Sequence, residues 1–269
     1  MAKITYPREY FSIEDTLTCG QVFRYAQNPD GSFSVISRDK IARLYYENDE
    51  VVIETDHPDY FYNYFDLATD YGKIVEKLSS CDELTEPIKY GKGIRILRQD
   101  FFETVFSFII SANNNITRIR KTIEKLCDFY GEKVGSYYAF PTLEKLQSAN
   151  ASDLKSLGLG YRAEYIIASA NDFISIENEL SQDKTNAKTI LQKLKGVGEK
   201  VANCITLFSL YQTDSYPVDT WIFRANKSET LNTKEKVYAY YTARYGQYSG
   251  FAQQYIFHYN RNAKNQNGR

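Results

Sequence analysis

The chain has 269 residues, 43% of them hydrophobic, and a formal net charge of −1. That length holds one large or two ordinary domains with a proper core, so disulfide staples are not needed. The apolar runs fall far short of a membrane span, and the charge balance supplies no global pull toward polyanions.

Cys19, Cys81, Cys127 and Cys204 lack metal-ligand spacing, which points to reduced thiols and away from a zinc site or an iron-sulfur cluster. With His57 and His258 the only histidines, neither a histidine metal centre nor a Ser-His-Asp triad is expected. The opening "MAKITYPREYF" has no secretory apolar core, and a cytoplasmic protein is expected.

Between Ser32 and Asp56 apolar and polar residues alternate, with breaks at Arg38-Asp39 and at Glu47 to Glu50, which predicts an antiparallel meander. From about Tyr60 the period becomes helical, and "YGKGIRILRQD" looks like a connector. A boundary near residue 90 then separates an N-terminal antiparallel β-sheet domain (1–90) from an all-α domain (91–269), an α+β organisation. "FFETVFSFIISA" is an almost wholly apolar helix capped by Asp100, and "ITRIRKTIEKLCDFYG" an amphipathic one ending at Gly131. Two shorter helices follow, with Thr142 and Ser152 as caps. Basic clusters occur at Arg118, Arg120, Lys121 and Lys125 and again through Lys188 to Lys200, and solvated helix faces would explain both.

Two stretches, "LKSLGLGYRAEYIIA" and "LQKLKGVGEKVANCI", share one pattern: a short helix, a Gly-x-Gly turn, a basic residue two places on, and a new helix. In the second, Leu-x-x-Leu-x-Gly-Val-Gly-x-x-x-Ala is the helix-hairpin-helix signature. Gly196 and Gly198 would turn the chain tightly and leave amide N–H groups open at a helix start, where they can hold a phosphate oxygen. The flanking apolar spacing favours that reading over an ordinary tight turn. Lys200 is then either a surface phosphate contact or a nucleophile, and spacing leaves both open. At an ordinary pKa of about 10.4 almost every amine is protonated at pH 7. A helix N-terminus contributes only about 0.3 to 1 kcal/mol, so a nucleophile would need desolvation or a nearby cation. Nineteen residues later "YPVDTWIFRA" places Asp219 ahead of an apolar helix, where it can cap the helix and also stabilise positive charge on a sugar ring.

These residues, with "TCGQVFRY", "RILRQDFFETVFSFIISANNNITRI", "PVDTW" and "YSGFAQQYIF", resemble the helix-hairpin-helix DNA glycosylases with a Gly/Pro-rich loop and a distal aspartate, and among them the 8-oxoguanine DNA glycosylases. The similarity runs over nearly the whole chain. It implies a TATA-binding-protein-like sheet followed by the helical domain, and a monomer acting on double-stranded DNA that contains 8-oxoguanine. By the resemblance Lys200 attacks C1′ and forms a Schiff base that permits β-elimination, while Asp219 stabilises the cationic sugar. Asn113 and Tyr161 would fill the gap left by the extruded nucleotide, and Arg118 and Arg162 would bond the estranged cytosine. The Gly20 carbonyl would meet the N7 donor that distinguishes the lesion from guanine, Gln253 would read the Watson–Crick edge, and Phe257 and Cys204 would sandwich the base. A nucleophilic lysine makes a metal or other cofactor unnecessary; K⁺ or Na⁺ on hairpin carbonyls is compatible with the motif, though no side chain encodes it. Eukaryotic members carry a histidine two places after the aspartate and an acidic residue three places after the pocket phenylalanine; Trp221 and Asn260 stand there in this chain. That paired change bears on phosphate contacts near the lesion. The compact chain and the lack of a recognisable organelle-targeting segment favour a prokaryotic, cytoplasmic form. The alternatives are a monofunctional alkyl-base glycosylase using Asp219 and water, and a non-enzymatic DNA-binding module.

Overall fold

A computed structural model of the chain describes residues 1–266 and resolves them into two compact units. One comprises residues 1–35, 41–98 and 207 onward, the other residues 36–40 and 99–206. The chain therefore divides near residue 98, not 90, and its C-terminal third returns to the unit that contains the sheet.

In the first unit, β1 (Ala2–Pro7), β2 (Tyr25–Gln27), β3 (Phe33–Ser37), β4 (Lys40–Glu47) and β5 (Glu50–Thr55) form an antiparallel sheet in the order β1-β5-β4-β3-β2. The expected meander is β3 to β5. Its two breaks are turns in which Arg38 and Asn48 take left-handed backbone, φ 57° and 53°. Period-2 alternation sends Val35, Ala42, Leu44, Val51 and Ile53 into one apolar cluster with Phe11, Ile13, Phe61 and Phe65. Around the sheet lie α1 (Ile13–Thr18), α2 (Pro58–Tyr64), α3 (Tyr71–Leu78) and α4 (Thr85–Gly91).

The expected connector is a buried extended segment. Ile94, Arg95, Ile96 and Leu97 are all at most 2% exposed. Arg95 donates from Nε to Phe65 O (2.8 Å) and from Nη1 to Tyr10 O (3.1 Å), and Nη2 reaches Asp66 O and Thr69 O, with the guanidinium 3.9 Å from the Tyr71 ring centroid. A planar cation with donors in fixed directions suits several loop carbonyls at once, and this ties the segment to the first unit.

The second unit is built from α5 (Phe101–Ser111), α6 (Ile116–Tyr130), α7 (Leu143–Gln147), α8 (Ala151–Leu154), α9 (Arg162–Gln182), α10 (Ala187–Leu191) and the start of α11 (Glu199–Phe208). Asp100 caps α5 by accepting from Glu103 N, and Thr142 caps α7. Ser152 is not a cap: Asn150 accepts from its amide at 2.7 Å, so the cap lies two residues earlier. Phe102, Phe106 and Phe173 pack with centroids 4.8 to 5.8 Å apart and join α5 to α9. One small hairpin, β6 (Lys133–Val134) with β7 (Tyr137–Tyr138), interrupts the otherwise helical segment. The chain then re-enters the first unit through α12 (Thr220–Asn226), α13 (Lys234–Tyr245) and α14 (Ser249–Gln266). No helix among the described residues is long and apolar enough to cross a membrane.

Replacing Arg95 with Met keeps most of the side-chain volume but strands the buried carbonyls of Phe65, Asp66 and Tyr10. A loss of about 3 kcal/mol or more is expected, read as a lower denaturant midpoint at unchanged slope.

Candidate active site

The turn "KGVGEK" is set by two different glycines. Gly196 adopts φ 86°, and a Cβ built on it would lie 2.5 Å from Cδ2 of Tyr165, so the tyrosine ring packs where a side chain would stand. Gly198 lacks positive φ, and nothing lies within 4 Å of the position its Cβ would take. Val197 N–H turns back to Leu194 O (3.1 Å), whereas the amides of Gly198, Glu199, Lys200 and Val201 take no backbone acceptor among the described residues. That is the open end of α11, with partial positive charge and unmet donors.

Lys200 lies in the first turn, half-buried, its Nζ 5.3 Å from the centroid of the buried Phe108 ring. Among the described residues no carboxylate pairs with it; the neighbouring Glu199 is taken by Lys188 at 2.8 Å. Cys204 is four residues further along α11, on the same face, and 4% exposed. Of the other lysines in this basic cluster, Lys193 is paired with Glu179, while Lys195 contributes its carbonyl to the Ser169 hydroxyl at 2.9 Å.

The first Gly-x-Gly stretch does not repeat this geometry. Residues 155–159 form a π-turn, and Gly158 and Gly160 both take positive φ, 104° and 58°. The basic residue that follows, Arg162, is 5% exposed and donates to Ala112 O (Nε, 2.7 Å), Asn113 O (Nη2, 2.9 Å) and Leu159 O (Nη1, 3.4 Å). Arg162 thus holds the turn after α5, in which Asn113 is exposed with φ 49°. Tyr161, 48% exposed, sets its ring edge-on to Tyr165 at 5.5 Å. Asn113, Tyr161, Tyr165 and the turn from Leu194 to Gly198 line one open cleft of about 460 Å³. Arg118 is exposed in the first turn of α6.

The remaining expected residues belong to the first unit. Asp219 caps α12, Oδ1 accepting from Ile222 N at 2.8 Å. Gly20 follows α1 with φ 86°. Its neighbour Gln21, which no spacing rule marks, is fully buried: Nε2 donates to Thr16 O (3.0 Å) and Arg95 O (2.7 Å), and Oε1 accepts from Leu97 N (2.9 Å). Gln253 is buried, with Nε2 on Pro217 O (3.1 Å) and Oε1 accepting from Gln254 (2.8 Å). Phe257 is half-buried, 5.9 Å from the Arg261 guanidinium. Trp221 is 41% exposed, and the Asn260 amide bonds back to Ile256 O on its own helix. No group of three or more metal-ligating side chains occurs among the described residues.

Two family profiles match in sequence order: "8-oxoguanine DNA glycosylase, N-terminal domain" over residues 3–105 and "HhH-GPD superfamily base excision DNA repair protein" over residues 106–241. The chain belongs to the 8-oxoguanine DNA glycosylase family. It is similar to the N-glycosylase/DNA lyase of Saccharomyces cerevisiae, 37% identical over 51% of this chain and 42% of that protein. The N-glycosylase/DNA lyase OGG1 of Arabidopsis thaliana is 34% identical over 64% of this chain and 53% of that one. The chain thus spans about half the length of these two relatives. The crystal structure of the Clostridium acetobutylicum 8-oxoguanine glycosylase/lyase with double-stranded DNA containing cytosine opposite 8-oxoguanine has a TM-score of 0.90 and 35% identity, covering 95% of this chain and 93% of that one.

Gly196→Ala places a methyl group against the Tyr165 ring at a left-handed position, and the turn must open. The expected outcome is a loss of about 2 kcal/mol or more in thermal or denaturant unfolding.

Proposed function

We propose that the chain is a bifunctional DNA glycosylase and lyase that removes 8-oxoguanine opposite cytosine from duplex DNA, acting as a monomer in the cytoplasm through Lys200. The observation that carries this reading is an amine in the open first turn of a helix, beside an aromatic ring and, among the described residues, not paired with a carboxylate. In the proposed reaction the Lys200 nitrogen attacks C1′ of the extruded nucleotide and the glycosidic bond breaks, the base leaving with the bonding electron pair and taking up a proton. The amine then forms a Schiff base with the opened sugar. Loss of a proton from C2′ expels the 3′ phosphate and nicks the strand. Asp219 stabilises the cationic sugar and assists the amine; its capping bond to Ile222 N holds the carboxylate in one rotamer. These steps need no metal or organic cofactor.

On the same reading the Gly20 carbonyl accepts from N7–H of the lesion, Gln253 reads its Watson–Crick edge, and Phe257 and Cys204 stack on its faces. Asn113 and Tyr161 take the space the nucleotide leaves, and the Gly196 to Gly198 turn holds a phosphate. Arg118 is exposed to meet the estranged cytosine, whereas Arg162 must share or release a backbone carbonyl to do so.

Asn caps helices as well as Asp, so Asp219→Asn separates charge from capping. The variant is expected to unfold at the wild-type temperature and to excise 8-oxoguanine about a hundredfold more slowly or worse in single-turnover assays. Borohydride should trap a covalent adduct of wild type with lesion DNA, and Lys200→Gln should abolish it. A wild-type enzyme that releases the base without a trappable adduct would favour the monofunctional alternative, and binding without any release the non-enzymatic one.

Gly198→Ala adds a methyl group to open space at the amide that would face phosphate. Unfolding should be unchanged while the dissociation constant for duplex DNA rises about fivefold or more, as measured by fluorescence anisotropy at fixed salt.

A further inference from the structure

The Gly20 loop is gripped on both sides. After it, the buried Gln21 amide ties the loop to the Arg95–Leu97 segment. Before it, Thr18 ends α1, and its carbonyl accepts from Arg261 Nη1 at 3.1 Å. Terminal carbonyls of a helix have no partner within the helix, and a cation there also meets the negative end of the helix dipole. Arg261 lies on α14, whose ring Phe257 is 5.9 Å from the same guanidinium. A second bond runs parallel to the first: His258, 2% exposed, sets Nε2 3.1 Å from Asp15 Oδ1, while its Nδ1 meets the Asn262 amide at 3.0 Å. Hydrogen bonds from His258 and Ser12 hold the Asp15 carboxyl below the usual aspartate range even though burial opposes this. Helix α1 is therefore pinned to α14 at Asp15 and again at Thr18, two residues before Gly20.

We propose that Arg261 is a positioning residue for base recognition: it fixes the end of α1, and with it the Gly20 carbonyl, relative to Gln253 and Phe257 on α14. Discrimination by one carbonyl requires placement to a few tenths of an ångström, and a loop held from one side only would not provide it. The His258–Asp15 bond sets the orientation of α1, and Arg261 sets its C-terminal end. This inference rests on the assignment of Gly20, Gln253 and Phe257 to the lesion pocket.

Arg261→Met keeps the aliphatic stem and removes the donors, and Arg261→Lys restores one of them. Each is assayed under single-turnover conditions on duplexes with 8-oxoguanine or guanine opposite cytosine, and on a duplex with a preformed abasic site. For the Met variant, excision of 8-oxoguanine is expected to fall about tenfold and the preference over guanine to narrow, while abasic-site scission stays within about twofold of wild type. The Lys variant should recover most of the excision rate. Unchanged excision, or scission falling in parallel with excision, would overturn the proposal. Should Arg261→Met not fold, His258→Gln on the same three duplexes gives the same split if α1 is a positioned element and no split if it is not. A wild-type chain that nicks abasic DNA but leaves 8-oxoguanine in place overturns the pocket assignment itself, a result visible before any variant is made.

Discussion

The approach of the Tyr165 ring to the bare face of Gly196 decides where the helix carrying Lys200 begins. A closed turn starts α11 at Glu199, which leaves four amides without a backbone acceptor among the described residues and places Lys200 and Cys204 one helical turn apart on one face. Tyr165 is also one turn from Tyr161 on α9 and meets that ring edge-on. At the head of α9, Arg162 grips the carbonyls that shape the Asn113 turn. One helix start thus positions three parts of the cleft: the exposed aromatic ring, the left-handed asparagine and the Gly196 to Gly198 turn. The coupling is steric at Gly196 and charge-assisted at Ala112 and Asn113.

The two Gly-x-Gly stretches show how little a shared pattern fixes geometry. Both place a basic residue two positions past the second glycine. In the first, two left-handed glycines and a π-turn carry Arg162 inward, where its planar fork meets three backbone carbonyls. In the second, a single left-handed glycine leaves Lys200 half-buried and beside a ring, with no carboxylate paired to it among the described residues. Arginine suits the first place because its donors are numerous and fixed in direction, whereas the second presents a compact amine on a flexible stem, the group the proposed reaction would use.

Much of this was legible in the sequence, and the exceptions have physical causes. The β3 to β5 meander shows because one face is buried and the period is two; the edge strand β1 buries none of its residues and β2 has only three, so neither offers that contrast. Asp100, Thr142 and Asp219 declare themselves as caps, but Ser152 does not compete with Asn150 two residues earlier. The Arg95 segment reads as a connector because its buried cation is satisfied by carbonyls far away in sequence, which no local pattern encodes. For the same reason the division of the chain lies near residue 98 and the C-terminal helices rejoin the first unit. Gly196, Gly198 and Lys200 stand out through spacing. Gly20, Cys204, Gln253 and Phe257 were visible only through resemblance, because a turn glycine, a buried thiol, a buried amide and an aromatic ring are what any core contains.

Asp219, Gln253 and the Gly20 loop share a mode of support. The Asp219 carboxylate is held by an amide of its own helix, the Gln253 amide by Pro217 O and Gln254, and the loop of Gly20 by Gln21. A free glutamine or aspartate side chain loses rotamer entropy of about 0.5 to 1.5 kcal/mol when a ligand immobilises it. Here that ordering occurs on folding, using the Ile222 amide, the Pro217 carbonyl and the Gln254 side chain. Preorganisation also limits adaptability, since an amide already bonded on two sides cannot rotate to suit a different base edge. A base pocket fastened in this way, as proposed for Gly20 and Gln253, would reject the wrong base because its polar groups cannot move to meet it, and its selectivity would depend as much on the residues that hold those two as on the two themselves.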